Sequence, residues 1–279
     1  MIQSRDFDAG QLERFRAYQQ QAYRTLEQVA QTIEVGETEA EVARRLRRAF
    51  AQQGVRSYFH VPVALFGERT AYPGEFGSFE ALPTGRRLAA GEAVILDAAP
   101  LFGDVMIDVS LAVPRAGSED AFARADALLR ELRALILERT RARKATMREI
   151  AREVDLLIRE RGFENCHRKH IGKVLAHRVT RMPARWLAGQ RVWGLSPVPV
   201  AWFFWQSYRS SSFDPTYTPN WNHTRQCDCP VQPGLWAVEP HVGLGAVGAK
   251  FEEILVVGER DANYLDDDLP HLRRWAATD

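Results

Sequence analysis

The 279-residue chain lacks most of what would place it in a specialised class. It has three cysteines, Cys166, Cys227 and Cys229, which is too few and too uneven for a disulfide framework. Cys227 and Cys229 are separated by a single residue, which is not the spacing of a zinc knuckle. Charge of one sign is missing too. The formal net charge is +1, so nothing suggests bulk affinity for nucleic acid or an anionic membrane. No apolar run approaches the length of a membrane span. The first residues, MIQSRDFDAG, hold no apolar core of a secretory signal, so a cytoplasmic protein is expected.

What is present is organised around 91–113, GEAVILDAAPLFGDVMIDVSLAV. An apolar run ends in Asp97, Pro100 and Gly103 can turn the chain, and a second run contains Asp108. In that run Val105, Ile107, Val109, Leu111 and Val113 share one face, and Met106, Asp108, Ser110 and Ala112 the other. A turn centred on Phe102–Gly103 sets Asp97 directly opposite Asp108. Two carboxylates so placed repel unless a proton or a cation intervenes. The arrangement recurs. Leu235–Glu239 and 249–257 flank a Gly-rich stretch, and a turn at Gly245–Ala246 opposes Glu239 to Glu252. Two facing carboxylate pairs make a metal site the better explanation.

Periodicity predicts helices over 12–33, 38–53, 118–141 and 146–162. Thr38 with Glu41 and Thr146 with Glu149 form capping boxes at the second and fourth of these. Residues 55–66 read as a strand and 67–87 as loop. The two capped segments align with an offset of 108, which implies an internal duplication with halves of about 12–115 and 118–258. Paired halves would gather all four carboxylates in one cleft of a single domain. The carboxylate hairpins are 142 residues apart, so about 34 extra residues fall in 181–230. That aromatic insertion carries Trp186, Trp193, Trp202, Trp205 and Trp221. It is expected either to pack on the body or a partner subunit, leaving room for a homodimer, or to cover the site as a lid. Four carboxylates with an imidazole suit Mn, Fe, Co or Zn, and His170 and His177 are the candidate imidazoles. No spacing recommends His60, His167, His223, His241 or His271 as ligands.

Together these residues resemble the M24 metallopeptidase family of methionine aminopeptidase, aminopeptidase P, prolidase and creatinase. The matching features are Asp97 and Asp108, His170 and His177, Glu239-Pro240, Glu252 before a final apolar strand, and 36–39 at a helix start. The resemblance implies the pita-bread fold, an α/β (α+β) architecture of two pseudo-symmetric halves around a curved, mostly antiparallel sheet. It implies two divalent ions held by Asp97, Asp108, His170, Glu239 and Glu252, with Asp108 and Glu252 bridging. It casts Glu239 as a proton carrier and His177 as the group that stabilises the tetrahedral intermediate. A small peptide, with proline after the scissile bond, or another small amide is the expected substrate. The alternatives are a non-peptide substrate or other metal-dependent chemistry, and a binding protein on the same scaffold. Several neighbours depart from the family pattern: Lys169, Ile171 and Arg178 beside the histidines, Val109 after Asp108, and Pro73-Gly74 for a Pro-His pair. The N-terminal domain of prolidase and aminopeptidase P is expected to be missing.

Overall fold

A computed structural model describes residues 7–181 and 217–277, with Trp205, Tyr208 and Arg209 between them. The expectations for Trp186, Trp193 and Trp202 lie outside the described residues.

The chain opens with two amphipathic helices, α1 (Ala9–Ala30) and α2 (Glu39–Gln52). The Thr38 capping box forms as its sequence predicts, with Oγ1 accepting from the Glu41 N–H at 3.2 Å. Buried Glu39 ties the start of α2 to the segment 66–84. Its carboxylate accepts from the Phe66 N–H at 3.1 Å, Arg69 Nε at 2.9 Å and Thr84 Oγ1 at 2.7 Å. Helices α3 (Glu119–Ala142) and α4 (Met147–Glu160) come after the first set of strands, and Thr146 caps α4 in the same way.

The strands explain how the site is built. The stretch expected as one strand over 55–66 is two, β1 (Ser57–Tyr58) and β2 (Val63–Phe66). Pro62, which has no N–H to give to a ladder, stands in the break. The first acidic hairpin is broken likewise, into β3 (Val94–Ala98), β4 (Pro100–Phe102), β5 (Val105–Met106) and β6 (Val109–Val113). Strands β2, β3 and β6 form one sheet, and β1, β4 and β5 another. The chain therefore passes between these two sheets three times, and His60, Ala99 and Asp108 lie at the three crossings.

The second acidic hairpin repeats the device. Strands β10 (Gly234–Val238) and β13 (Glu253–Val257) pair in one sheet. Their continuations, β11 (His241–Leu244) and β12 (Val247–Lys250), pair in the next. The break falls at Glu239-Pro240 on one side and Phe251-Glu252 on the other. Strands β8 (Ala176–Val179) and β9 (Asn220–Trp221) extend the first of these sheets, with β14 (Ala262–Tyr264) at its far edge. Strand β7 (Glu164–Asn165) joins the other. A bridge between Leu111 and Phe251 joins the two acidic hairpins.

The registers separate a correct expectation from a corrected one. In the second hairpin Val238 opposes Glu253 and His241 opposes Lys250, which is the register of a turn at Gly245–Ala246. Gly245 takes the left-handed conformation that the turn requires, φ 60°. In the first hairpin Asp97 opposes Ser110, not Asp108. The turn is Gly103–Asp104, with Gly103 at φ 64°. Phe102 stays in its strand because its ring stacks on Tyr18, with centroids 4.7 Å apart. Asp108 lies two residues from Ser110, so it keeps the face of Asp97 and sits diagonally from it.

Two apolar clusters flank the broken hairpins. One packs α1 and α2 against Val105, Ile107, Val109 and Leu111. The other packs α3 and α4 against Ile95, Ala112, Trp236 and Phe251. The described end of the aromatic insertion belongs to the second. Trp221 is fully buried edge-on to Trp236, and its Nε1–H donates to the Met147 carbonyl at 2.5 Å.

Gly248 shows how closely the second hairpin approaches the loop after β2. Its N–H donates to Thr70 Oγ1 at 2.8 Å, and a Cβ built there would meet the Thr70 carbonyl oxygen at 1.9 Å. Gly248→Ala is therefore expected to destabilise the protein by about 3 kcal/mol, at the upper end of overpacking costs. Urea unfolding measures it, and a change below about 1 kcal/mol would show that the loop gives way freely.

Candidate metal centre

Asp97 is the last residue but one of β3, Asp108 lies between β5 and β6, Glu239 comes directly after β10, and Glu252 precedes β13. Each carboxylate sits where its hairpin leaves one sheet for another, so all four converge at one level of the molecule. His177 reaches them from β8, and His170 from the turn at 166–173. The six residues singled out in the sequence are thus brought into one cluster.

Three residues in the cluster were not foreseen. Lys250 Nζ is 2.8 Å from Asp97 Oδ2, 3.6 Å from Glu239 Oε2 and 3.5 Å from Glu252 Oε2. Only four of the 37 basic residues are lysine, so a lysine here is not what this composition supplies by default. His60 Nε2 is 3.2 Å from Asp108 Oδ1 and 3.4 Å from Asp97 Oδ1. His241 Nδ1 is 3.2 Å from His170 Nε2, and its own Nε2–H donates to the Thr70 carbonyl at 2.6 Å. A signal for His241 and Lys250 was available, because the Glu239–Glu252 register sets them opposite each other. His60 gave none: its neighbours at 97 and 108 are distant in sequence.

His177 Nε2 lies 3.2 Å from Asp108 Oδ2 and 3.8 Å from Glu252 Oε1. His170 Nδ1 lies 2.9 Å from Glu239 Oε2. Two of the departures from the family pattern, Arg178 and Lys169, make contacts outside the acid cluster. Arg178 alternates away from His177 along β8 and is buried between Tyr217 and Trp236. It donates to the carbonyls of Thr218 and Pro233, both at 3.0 Å. Lys169 donates to the Tyr72 carbonyl and to Glu164. Tyr72 itself has a left-handed backbone, φ 49°, strained for a bulky side chain.

The cluster is graded in depth. The Lys250 side chain is 2% exposed, Asp97 14% and His60 25%, so the cage opens on the His60 side.

Crowding sets the protonation states. Burial and repulsion from Asp108 raise the Glu252 pKa to about 8. Burial opposes a charge on His60, but Asp108 and Asp97 prevail and raise its pKa to about 10. Burial likewise opposes the charge on Glu239, yet His170 and Lys250 hold its pKa down to about 2.

The donor set fits a divalent cation. Asp97 Oδ1 and Glu252 Oε2 are buried and accept no hydrogen bond from the described residues. Among the described residues, two groups meet the geometry of a shared ion, His60–Asp97–Asp108 and Asp108–His177–Glu252. Within each, the ligand atoms lie within 4.8 Å of one another.

Cation binding must displace protons from this cluster, so its apparent affinity is expected to rise with pH. The slope is about tenfold per unit for each proton released. Glu252 and His60 both bind protons more tightly folded than unfolded. Protonation therefore stabilises the metal-free fold. That contribution is complete below each group's unfolded pKa and is lost as pH rises through about 8 for Glu252 and about 10 for His60. Calorimetric titration in buffers of different ionisation enthalpy counts the protons. Uptake with no proton release at pH 7 contradicts the expectation.

A buried acid–imidazole cluster at the breaks of paired hairpins defines a candidate metal centre. Sequence comparison identifies its setting: the chain belongs to metallopeptidase family M24, whose family model matches residues 13–259. Solved structures agree on the pita-bread fold. An X-Pro aminopeptidase from Thermotoga maritima superposes with a TM-score of 0.66 at 18% identity, over 95% of this chain and 63% of its own. A dipeptidase from Pyrococcus horikoshii gives 0.64 at 14% identity, over 92% and 60%. The prolidase from Pyrococcus furiosus gives 0.62 at 14% identity, over 92% and 64%. The chain thus spans about three fifths of the length of these structures. No curated protein sequence matches it significantly. Among the described residues, no helix is long and apolar enough to cross a membrane.

Proposed function

We propose that the chain is a metal-dependent hydrolase of a peptide or other small amide bond. The convergence of Asp97, Asp108, Glu239 and Glu252, with buried oxygens left for a cation, carries this reading. Membership of the family supports it, as do the names of the X-Pro aminopeptidase and the prolidase that share the fold. The pair of ions that the resemblance implies would compete with Lys250 for Asp97, Glu239 and Glu252.

A bound divalent ion supplies a water of lowered pKa and polarises the scissile carbonyl. Asp108 and Glu252 would hold it, Asp108 from the centre of the cluster. Glu239, ionised at neutral pH, is the proposed proton carrier. His170 and His241 stand behind it in a hydrogen-bonded chain that ends on the buried Thr70 carbonyl and holds the Glu239 carboxylate in place. The Phe59 ring lies beside His177, with centroids 6.1 Å apart, and Tyr72 beside His170 at 5.3 Å. These rings offer apolar surface to a substrate side chain.

The test uses protein stripped by chelator and reloaded with Mn, Fe, Co or Zn. It is offered Xaa-Pro dipeptides, other dipeptides and non-peptide amides. Hydrolysis that requires the metal is expected for at least one class. A loaded protein that cleaves none is a binding scaffold, and the hydrolase reading falls.

A further inference from the structure

Glu252 stands in the gap between β12, which ends at Lys250, and β13, which begins at Glu253. A residue in a strand break must find partners for its main chain outside the ladder. Across the hairpin the break holds Glu239 and Pro240, and a proline has no N–H to give.

The partner comes from helix α1. The Tyr23 hydroxyl donates to the Glu252 carbonyl at 2.6 Å and accepts from the Glu252 N–H at 3.4 Å. One hydroxyl can do both. Gln19 lies four residues earlier, on the same face of α1. Its Oε1 accepts from the Ile254 N–H at 3.0 Å. Between these two anchors, Glu253 alternates away from Glu252 along the strand. Arg133 Nε and Nη2 donate to its two oxygens at 2.6 and 2.9 Å, and His271 Nε2 lies 2.7 Å from Oε1. The chain is thus tied at three successive residues, and the Glu252 carboxylate is the group left to face the acid cluster.

Packing does not explain the two polar side chains on α1. A phenylalanine would fill the space of the Tyr23 ring, and the hydroxyl serves Glu252. Gln19 is fully buried, and its Nε2 finds no partner among the described residues. Burying half an amide unpaired is a cost, so Gln19 is a poor choice as a mere core residue.

We propose that Tyr23 and Gln19 are positioning residues of the metal centre. They set the main chain over 252–254 and so aim the Glu252 carboxylate at the ion. The proposal rests on the reading that the chain binds a divalent ion through Glu252. It adds no ligand. Hydrogen bonds that orient a ligand carry about 10- to 100-fold in metal affinity, because a donor a few tenths of an ångström out of place binds poorly.

The test reads affinity and not turnover. Chelator-stripped protein is titrated with cobalt chloride in a calorimeter. Tyr23→Phe removes one oxygen and leaves the ring, and Gln19→Met keeps the length and removes the acceptor. Each is expected to bind cobalt about tenfold or more weakly than wild type. The visible absorption of the bound cobalt should shift as well, since the geometry at the ion changes. Leu26→Val is the control. It thins the same apolar cluster on α1 and removes no hydrogen bond. Its affinity should stay within about threefold of wild type, with an unshifted spectrum, even though it lowers stability by cavity formation. If Tyr23→Phe fails to fold, Gln19→Met carries the test. A folded variant that binds within about threefold of wild type overturns the role of that residue. An equal loss in Leu26→Val overturns the proposal as a whole, and either result leaves the hydrolase reading intact. A wild type that takes up no cobalt, manganese, iron or zinc overturns both.

Discussion

Asp108→Ala is expected to lose nearly all metal and, with it, turnover by about a thousandfold or more, since a metal supplies several kcal/mol to the barrier. Both groups able to share an ion contain Asp108, and no other residue is common to them. Its two oxygens face different imidazoles, so one substitution removes a donor from each side. The fold should survive, because Asp108 stands in the break between β5 and β6 and belongs to no strand. The metal-free protein loses the partner of His60 and His177 and should be weakened by about 1–3 kcal/mol. Metal analysis and circular dichroism of the purified variant separate these effects. Unchanged metal content in a folded Asp108→Ala protein would remove Asp108 from the centre.

Lys250→Met is expected to destabilise the metal-free protein by about 3–5 kcal/mol, the usual scale for leaving a buried charge without its partner. Lys250 is the buried ammonium shared by Asp97, Glu239 and Glu252. Without it, three carboxylates face one another, and protonation or a cation must take its place. The variant should therefore recover stability when a divalent ion is added, by an amount that grows with ion concentration. Urea unfolding with chelator and with added cobalt gives both numbers. If the chelated variant unfolds at the wild-type midpoint, the ammonium is not what holds the acid cluster together.

Much of the scaffold was legible in the chain because it rests on local rules. The capping boxes at Thr38 and Thr146 need only a residue three positions on. The alternation from Val105 to Leu111 sorts correctly into one apolar cluster, even across the break at Asp108. A glycine at the tip sets the register of the second hairpin. The first hairpin misled by one turn position. Deciding between Phe102 and Asp104 as the turn residue required Tyr18, which is 84 positions earlier and stacks on Phe102. The strand breaks were also illegible as such, although Pro62 and Pro240 mark two of them.

By itself, then, the sequence determined the family, the helices, and that four acids gather with His170 and His177, since these arise from periodicity, capping and the order of a few charged residues. Only the tertiary structure decided who faces whom inside that gathering. His60 meets Asp97 and Asp108 because β1 and β2 cross between sheets at their level. Lys250 meets Asp97 across 153 residues because the two broken hairpins are bridged at Leu111 and Phe251. Contacts of that separation carry no local pattern. They arise where whole sheets dock, and the burial that docking imposes is what turns four surface-like acids into a candidate metal centre.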